Sequence, residues 1–131
     1  MPSPEALLAA ARNARARAYA PYSGFAVGAA LETADGTVVT AGNVENVSLG
    51  LSICAERAVI VSAIAGGYRK FTAIAVAGPD DAFVTPCGAC RQFIAEFDAN
   101  MIVAYESAQG VRQTTIAELL PLSFAPEQLH R

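Results

Sequence analysis

At 131 residues the chain has the length of one domain, 1–131, with room for one core and little spare chain. An apolar fraction of 53% against 16% charged residues calls for partner subunits to cover part of the surface, and a net charge of -3 argues against a polynucleotide partner, which wants a basic stripe. The start Met1-Pro2-Ser3-Pro4 has no basic region followed by an apolar core, and no apolar run is long enough to span a bilayer, so the default expectation is a soluble cytoplasmic chain.

Ser3-Pro4-Glu5 starts a helix: a capping hydroxyl, proline at the first position and an acid in the first turn. Leu7, Leu8, Ala11 and Ala18 recur at helical spacing, which extends this helix to about Tyr19, and Pro21 stops it by Ala20. Pro21-Tyr22-Ser23-Gly24 is turn chemistry. Phe25 to Thr33 reads as a strand, Asp35-Gly36 as a two-residue hairpin turn, and Thr37 to about Gly42 as the antiparallel return. Asn43 to Ile53 is polar, aperiodic and interrupted by Gly50, and a loop of that length in a small domain is more often functional than idle. A second helix runs from Cys54 to Ala65, apolar on several sides as in a buried helix, and Gly66-Gly67 ends it. Thr72 to Ala77 is a continuously apolar central strand. Gly78 to Pro86 is a loop, Gly88 to Phe97 a third helix, Met101 to Tyr105 a second buried strand, and Gln109-Gly110 a turn. Thr114-Thr115 caps a short helix through Leu120, which Pro121 stops. Helical crossovers between the later strands require parallel pairing there, so the expected architecture is α/β: one mixed sheet between helices.

The three cysteines are an odd number, which excludes a complete disulfide framework and leaves buried reduced thiols as the plain alternative. Cys54 and the pair Cys87 and Cys90 each stand at the start of an expected helix, where partial positive charge favours thiolate over thiol. Cys87-Gly88-Ala89-Cys90 has the spacing of a zinc turn, with a redox dithiol as its rival. Three thiolates on one zinc leave a fourth tetrahedral position, the arrangement of a hydrolytic site. His130, the single histidine, is read as a solvated side chain of the tail rather than a ligand, so the fourth position falls to water. Glu56 is then a fourth ligand, a helix-starting acid, or the base that takes a proton from that water. The last role requires Cys54 to stand at the very first turn. Arg57 and Arg91 flank two of the thiols and are candidates for offsetting their charge, Arg57 the better placed.

Phe25-Ala26-Val27-Gly28-Ala29-Ala30-Leu31, Asn43-Val44-Glu45-Asn46, Cys54-Ala55-Glu56-Arg57 and Pro86-Cys87-Gly88-Ala89-Cys90-Arg91-Gln92, with Leu119-Leu120-Pro121 and Phe124 behind them, resemble the small homotetrameric zinc-dependent cytidine deaminases over about Tyr19 to Leu129. The resemblance implies a three-layer α/β/α fold with a five-stranded mixed sheet. It implies one Zn2+ per chain on Cys54, Cys87 and Cys90, with Glu56 as the proton shuttle. It further implies that Asn43 and Glu45 hold the ribose hydroxyls and that Phe25, Ala55 and Phe124 belong to the substrate-binding set, Phe124 reaching a neighbouring subunit's site. A departure falls at Leu49, where the family commonly has tyrosine near the sugar.

The function so implied is hydrolytic deamination of cytidine and 2′-deoxycytidine to the uridine forms and ammonia, a step of pyrimidine salvage, by a homotetramer without nucleic-acid or membrane partners. The rival readings are an aminohydrolase of another aminopyrimidine nucleoside, such as blasticidin S, and a zinc-stabilised binding module without catalysis. The block Asn43-Val44-Glu45-Asn46 favours cytidine over the first. The carboxylate of Glu56, which a purely structural site does not use, speaks against the second.

Overall fold

The first helix forms where the sequence places its start. The Ser3 hydroxyl accepts the N–H of Ala6 at 3.1 Å, Pro4 takes the first position, and α1 spans Pro4–Ala14 with Leu7, Leu8, Ala11 and Ala14 buried. It ends earlier than the expected Tyr19, in a 3-10 turn over Arg15–Arg17. The reason is a competing backbone pairing. The N–H of Tyr19 donates to the Asn43 carbonyl at 2.8 Å, and the N–H of Glu45 donates to the Tyr19 carbonyl at 2.8 Å, which needs Tyr19 extended. The computed structural model describes residues 2–80 and 83–129.

Five strands form one mixed sheet in the order β2-β1-β3-β4-β5: β1 Gly28–Thr33, β2 Val38–Gly42, β3 Phe71–Ala77, β4 Ile102–Ser107 and β5 Gly110–Thr115. The expected strand from Phe25 loses its first three residues, because side chains take their backbone groups instead: Asn43 binds the Phe25 carbonyl and the Val27 N–H, and Arg15 Nε donates to the Ala26 carbonyl. The hairpin turn is one residue longer than expected. Thr33 and Thr37 close it through a 2.9 Å bond, and Gly36 at φ +90° supplies the left-handed residue of a three-residue loop. β3 is the buried central strand and pairs in parallel with β4 through the crossover helix α3 (Gly88–Ala95). Residue-level reading missed β5, although the five strands implied by the resemblance include it. Its sequence Gly110-Val111-Arg112-Gln113-Thr114-Thr115 is an exposed edge with one aliphatic residue, so hydrophobic periodicity carries no signal there.

Alternate β1 side chains serve opposite layers. Ala30 joins Leu7, Leu8 and Ala11 of α1 and the alanines 73, 75, 77 and 104 on one face. Ala29 and Leu31 join Val59 and Ile60 of α2 (Ala55–Ala65), Ile94 of α3 and Ile116 of α4 (Ile116–Leu119) on the other. The three-layer α/β/α arrangement is therefore the one expected, and each fully buried Leu or Ile contributes about 2 kcal/mol of transfer free energy. The alanine-lined face lets α1 lie close: a Cβ on Gly28 would stand 1.9 Å from the Ala11 carbonyl oxygen. One expectation fails in the isolated chain. α2 is not apolar and buried all round, since Val61 is 49% exposed beside Ser62 and Ala65.

This topology sets the position of the site. Gly28 pairs with Gly42 on one side and with Ala77 on the other, so β2 and β3 end on either side of β1 at the edge where β1 begins. The segments leaving those two ends lead into α2 and α3, and residues 25–27 enter at the same edge.

Candidate active site

Both cysteine-bearing helices begin at this edge. Cys54 is the N-cap of α2 and Cys87 the N-cap of α3, each with extended backbone, and Cys90 lies in the first turn of α3. Neither thiol caps the backbone N–H groups of its own helix, so both sulfurs remain available to a metal. The Sγ atoms of Cys54 and Cys87 are 4.0 Å apart, and all three sulfurs lie within 4.8 Å of one another. A Zn–S bond of about 2.3 Å corresponds to a tetrahedral S···S edge of about 3.8 Å, so a small inward movement seats all three on one ion.

The electrostatics favour a cation there. Cys54 is held well below the ordinary thiol range, first by the hydrogen bond from Cys90, with Arg57 adding to it. Cys90 is pushed up, because it is the donor in that bond and is buried. The cluster thus gives up one proton readily, and a dication would draw off the others, since thiolate is the ligating form. The Nη2 of Arg57 donates to Cys54 Sγ at 3.4 Å, and that bond holds the guanidinium in its charged form. Arg91 does not reach a sulfur. Its Nε donates to the Pro86 carbonyl at 2.7 Å, Nη1 to the Leu119 carbonyl at 2.9 Å and Nη2 to Thr85 Oγ1 at 3.3 Å, so it braces the segment ahead of Cys87.

Glu56, at the second position of α2, is 4% exposed, and burial pushes its carboxyl up to about 7. It lines a cavity of about 380 Å³ together with Cys54, Ala55 and Cys87. Phe25, Val27, Asn43, Glu45, Ser52, Ile53, Val84 and Thr85 form other parts of the wall. Asn43 accepts the Val27 N–H at 2.9 Å and donates to the Phe25 carbonyl at 3.0 Å. Glu45 accepts the N–H groups of Tyr22 and Ser23 at 3.0 and 3.1 Å and the Ser23 hydroxyl, and the Ser23 bonds lower its pKa. Each keeps a free lone pair, and Asn43 a free N–H, for a diol.

The structure thus brings Phe25, Asn43, Glu45, Ala55, Glu56, Cys54 and Cys87 to one cavity, with Cys90 behind the other two sulfurs. Phe124 is absent from that wall; it stands 54% exposed, with its backbone bound to Gln92. Leu49 is likewise not part of the wall and stands exposed in a 3-10 turn over Leu49–Leu51. His130 lies outside the described residues. Sequence reasoning missed Ser23 and Thr85 as wall residues. Ser23 was legible only as part of a turn, and Thr85 only as a loop residue ahead of Cys87.

A fold with two helix N-termini and three thiols converging beside a buried carboxylate defines a zinc aminohydrolase type of site. The family described as the cytidine and deoxycytidylate deaminase zinc-binding region matches residues 1–106, and the chain belongs to it. It is 45% identical over 127 residues to the cytidine deaminase of Sporosarcina psychrophila, covering 95% of this chain and 93% of that one. The crystal structure of cytidine deaminase from Burkholderia pseudomallei superposes with a TM-score of 0.87 at 49% identity, covering 94% of this chain and all of the other. The Blasticidin-S deaminase of Bacillus cereus is a more distant relative, 35% identical over 106 residues, 75% of this chain and 76% of that one.

Proposed function

We propose that the enzyme deaminates cytidine and 2′-deoxycytidine hydrolytically, to uridine and 2′-deoxyuridine plus ammonia. The observation that carries this reading is the meeting of three thiols and one buried carboxyl, with a pKa near neutrality, in the wall of a single cavity. Cys54, Cys87 and Cys90 hold one zinc, which when bound supplies Lewis acidity toward water. Glu56 takes one proton from the attacking water and delivers it to N3 of the pyrimidine. It then takes the second proton from the C4 hydroxyl of the tetrahedral adduct and passes it to the amine, so that the C4 carbonyl forms as the C–N bond breaks and ammonia leaves. A carboxyl titrating near 7 suits both halves of that cycle at neutral pH. Arg57 offsets the charge of the sulfurs. Phe25 and Ala55 face the base, and Asn43 and Glu45 hold the sugar hydroxyls at the rim, already oriented by the backbone of residues 22–27.

The active form is a homotetramer, in which Phe124 of each copy completes the cavity of a neighbour. Exposed Val47, Leu49, Leu51, Val61, Leu122 and Phe124 support this, because they offer apolar surface for such contacts. Among the described residues no helix is long and apolar enough to cross a membrane, which accords with a place in cytoplasmic pyrimidine salvage. The test is ammonia release from a panel of aminopyrimidine nucleosides by zinc-loaded protein. Cytidine and deoxycytidine are expected to lead the panel. A strong preference for blasticidin S would replace them as the substrates.

A further inference from the structure

The two residues after the third thiol, Arg91 and Gln92, are not used by the chemistry, yet both side chains reach the same distant segment. Arg91 Nη1 donates to the Leu119 carbonyl at 2.9 Å. The side-chain amide of Gln92 engages both backbone groups of Phe124: Nε2 donates to its carbonyl at 2.9 Å, and Oε1 accepts its N–H at 3.3 Å. The amide thereby imitates a strand neighbour, which fixes position and direction together. Between these two anchors the chain turns through Leu122 at φ +56°. A leucine in the left-handed region is costly and persists only where its surroundings over-determine it. Leu122 itself touches almost nothing, being fully exposed, so the constraint comes from the flanking anchors. Arg91 also binds the Pro86 carbonyl and Thr85 Oγ1, so one guanidinium ties the segment ahead of Cys87 to the end of α4.

We propose that Gln92, with Arg91, is a positioning residue that mounts the C-terminal segment Leu119–Phe124 on the metal-bearing helix and so aims the Phe124 ring outward, toward the neighbouring cavity. That last step rests on the reading of Phe124 given under Proposed function. The clamp itself rests on the hydrogen bonds and on the strained turn. Substrate affinity in one copy thus depends on a side chain next to the metal ligands of another. Gln92 touches no reacting atom, so its loss acts on Phe124 placement and leaves the chemical step in place.

The test uses the zinc-loaded, assembled enzyme in four forms: parent, Gln92→Ala, Phe124→Ala and the double variant. Amide hydrogen exchange at Phe124 reads the clamp directly. In Gln92→Ala it should speed up several-fold, as expected for loss of about one hydrogen bond. Steady-state kinetics read the consequence: KM for cytidine is expected to rise about three- to ten-fold in Gln92→Ala with kcat and zinc content nearly unchanged. In the Phe124→Ala background the same substitution should add almost nothing. Unchanged exchange at Phe124 in Gln92→Ala overturns the clamp. Faster exchange with effects on KM that simply add overturns the positioning role. Zinc lost together with kcat shows a merely structural role and overturns it as well. A Phe124→Ala variant with the parent's KM overturns instead the reading of Phe124 as a part of the shared site, while the exchange result still decides the clamp.

Discussion

Glu56 is a carboxyl placed where water hardly reaches it, and its titration is a consequence of that placement. Its native pKa, about 7, stands above the ordinary 4.5, so the folded state holds the proton more tightly than the unfolded state. The sign follows by linkage: the group's stabilising contribution is full below the unfolded value and is lost as pH rises from about 4.5 through about 7. Metal-stripped parent protein should therefore lose stability relative to metal-stripped Glu56→Gln across that window, by on the order of 3 kcal/mol. Urea denaturation of both proteins at pH 4 to 8 checks it, and a constant difference across the window would contradict the buried, proton-retaining carboxyl. The thiols and the acid of this site were legible in the sequence, because thiols at helix starts and a nearby acid are a chemical pattern, whereas Phe25, Asn43, Glu45 and Ala55 entered only through the family resemblance. The partners that orient them were not. The contacts of Asn43 with residues 25–27, of Glu45 with Ser23 and of Arg91 with the Pro86 carbonyl join positions whose sequence separations carry no signal.

At the scale of elements, the close seating of α1 on β1 is set by Gly28. A methyl group there would overlap the Ala11 carbonyl oxygen at 1.9 Å and approach the Arg15 nitrogen at 2.9 Å, and both are backbone atoms that cannot rotate away. Gly28→Ala is expected to destabilise the fold by about 3 kcal/mol, roughly 10 °C in Tm, and calorimetry of the two proteins measures it. A Tm within about 2 °C of the parent would mean that α1 shifts freely on its alanine-lined face. Elements with strong local determinants were readable: the cap and proline of α1, the apolar run of β3, and the Thr115 cap of α4, whose hydroxyl accepts the Glu118 N–H. The failures have two causes. The early end of α1 and the shortened β1 are decided by pairing with a distant segment rather than by local propensity, and β5 forms by hairpin pairing with β4 along a polar edge that carries no apolar pattern.

For the whole molecule, the same exposure that leaves α2 half-covered leaves Phe124 and the loop around Leu49 open to solvent in the single chain. Assembly is the expected remedy. Sedimentation at micromolar concentration should give four copies, and Phe124→Ala should weaken cytidine binding while the assembly and its zinc remain. A fully active monomer would remove the shared-site reading. The account's central claim is narrower: this cavity performs hydrolysis with Glu56 as its proton carrier. The most direct measurement is ammonia release from cytidine by zinc-loaded Glu56→Gln beside the parent, with metal content determined on the same samples. The expected result is one zinc per chain in both proteins and a rate in the variant lower by roughly a hundredfold or more. Retained zinc with turnover within a few-fold of the parent would contradict it.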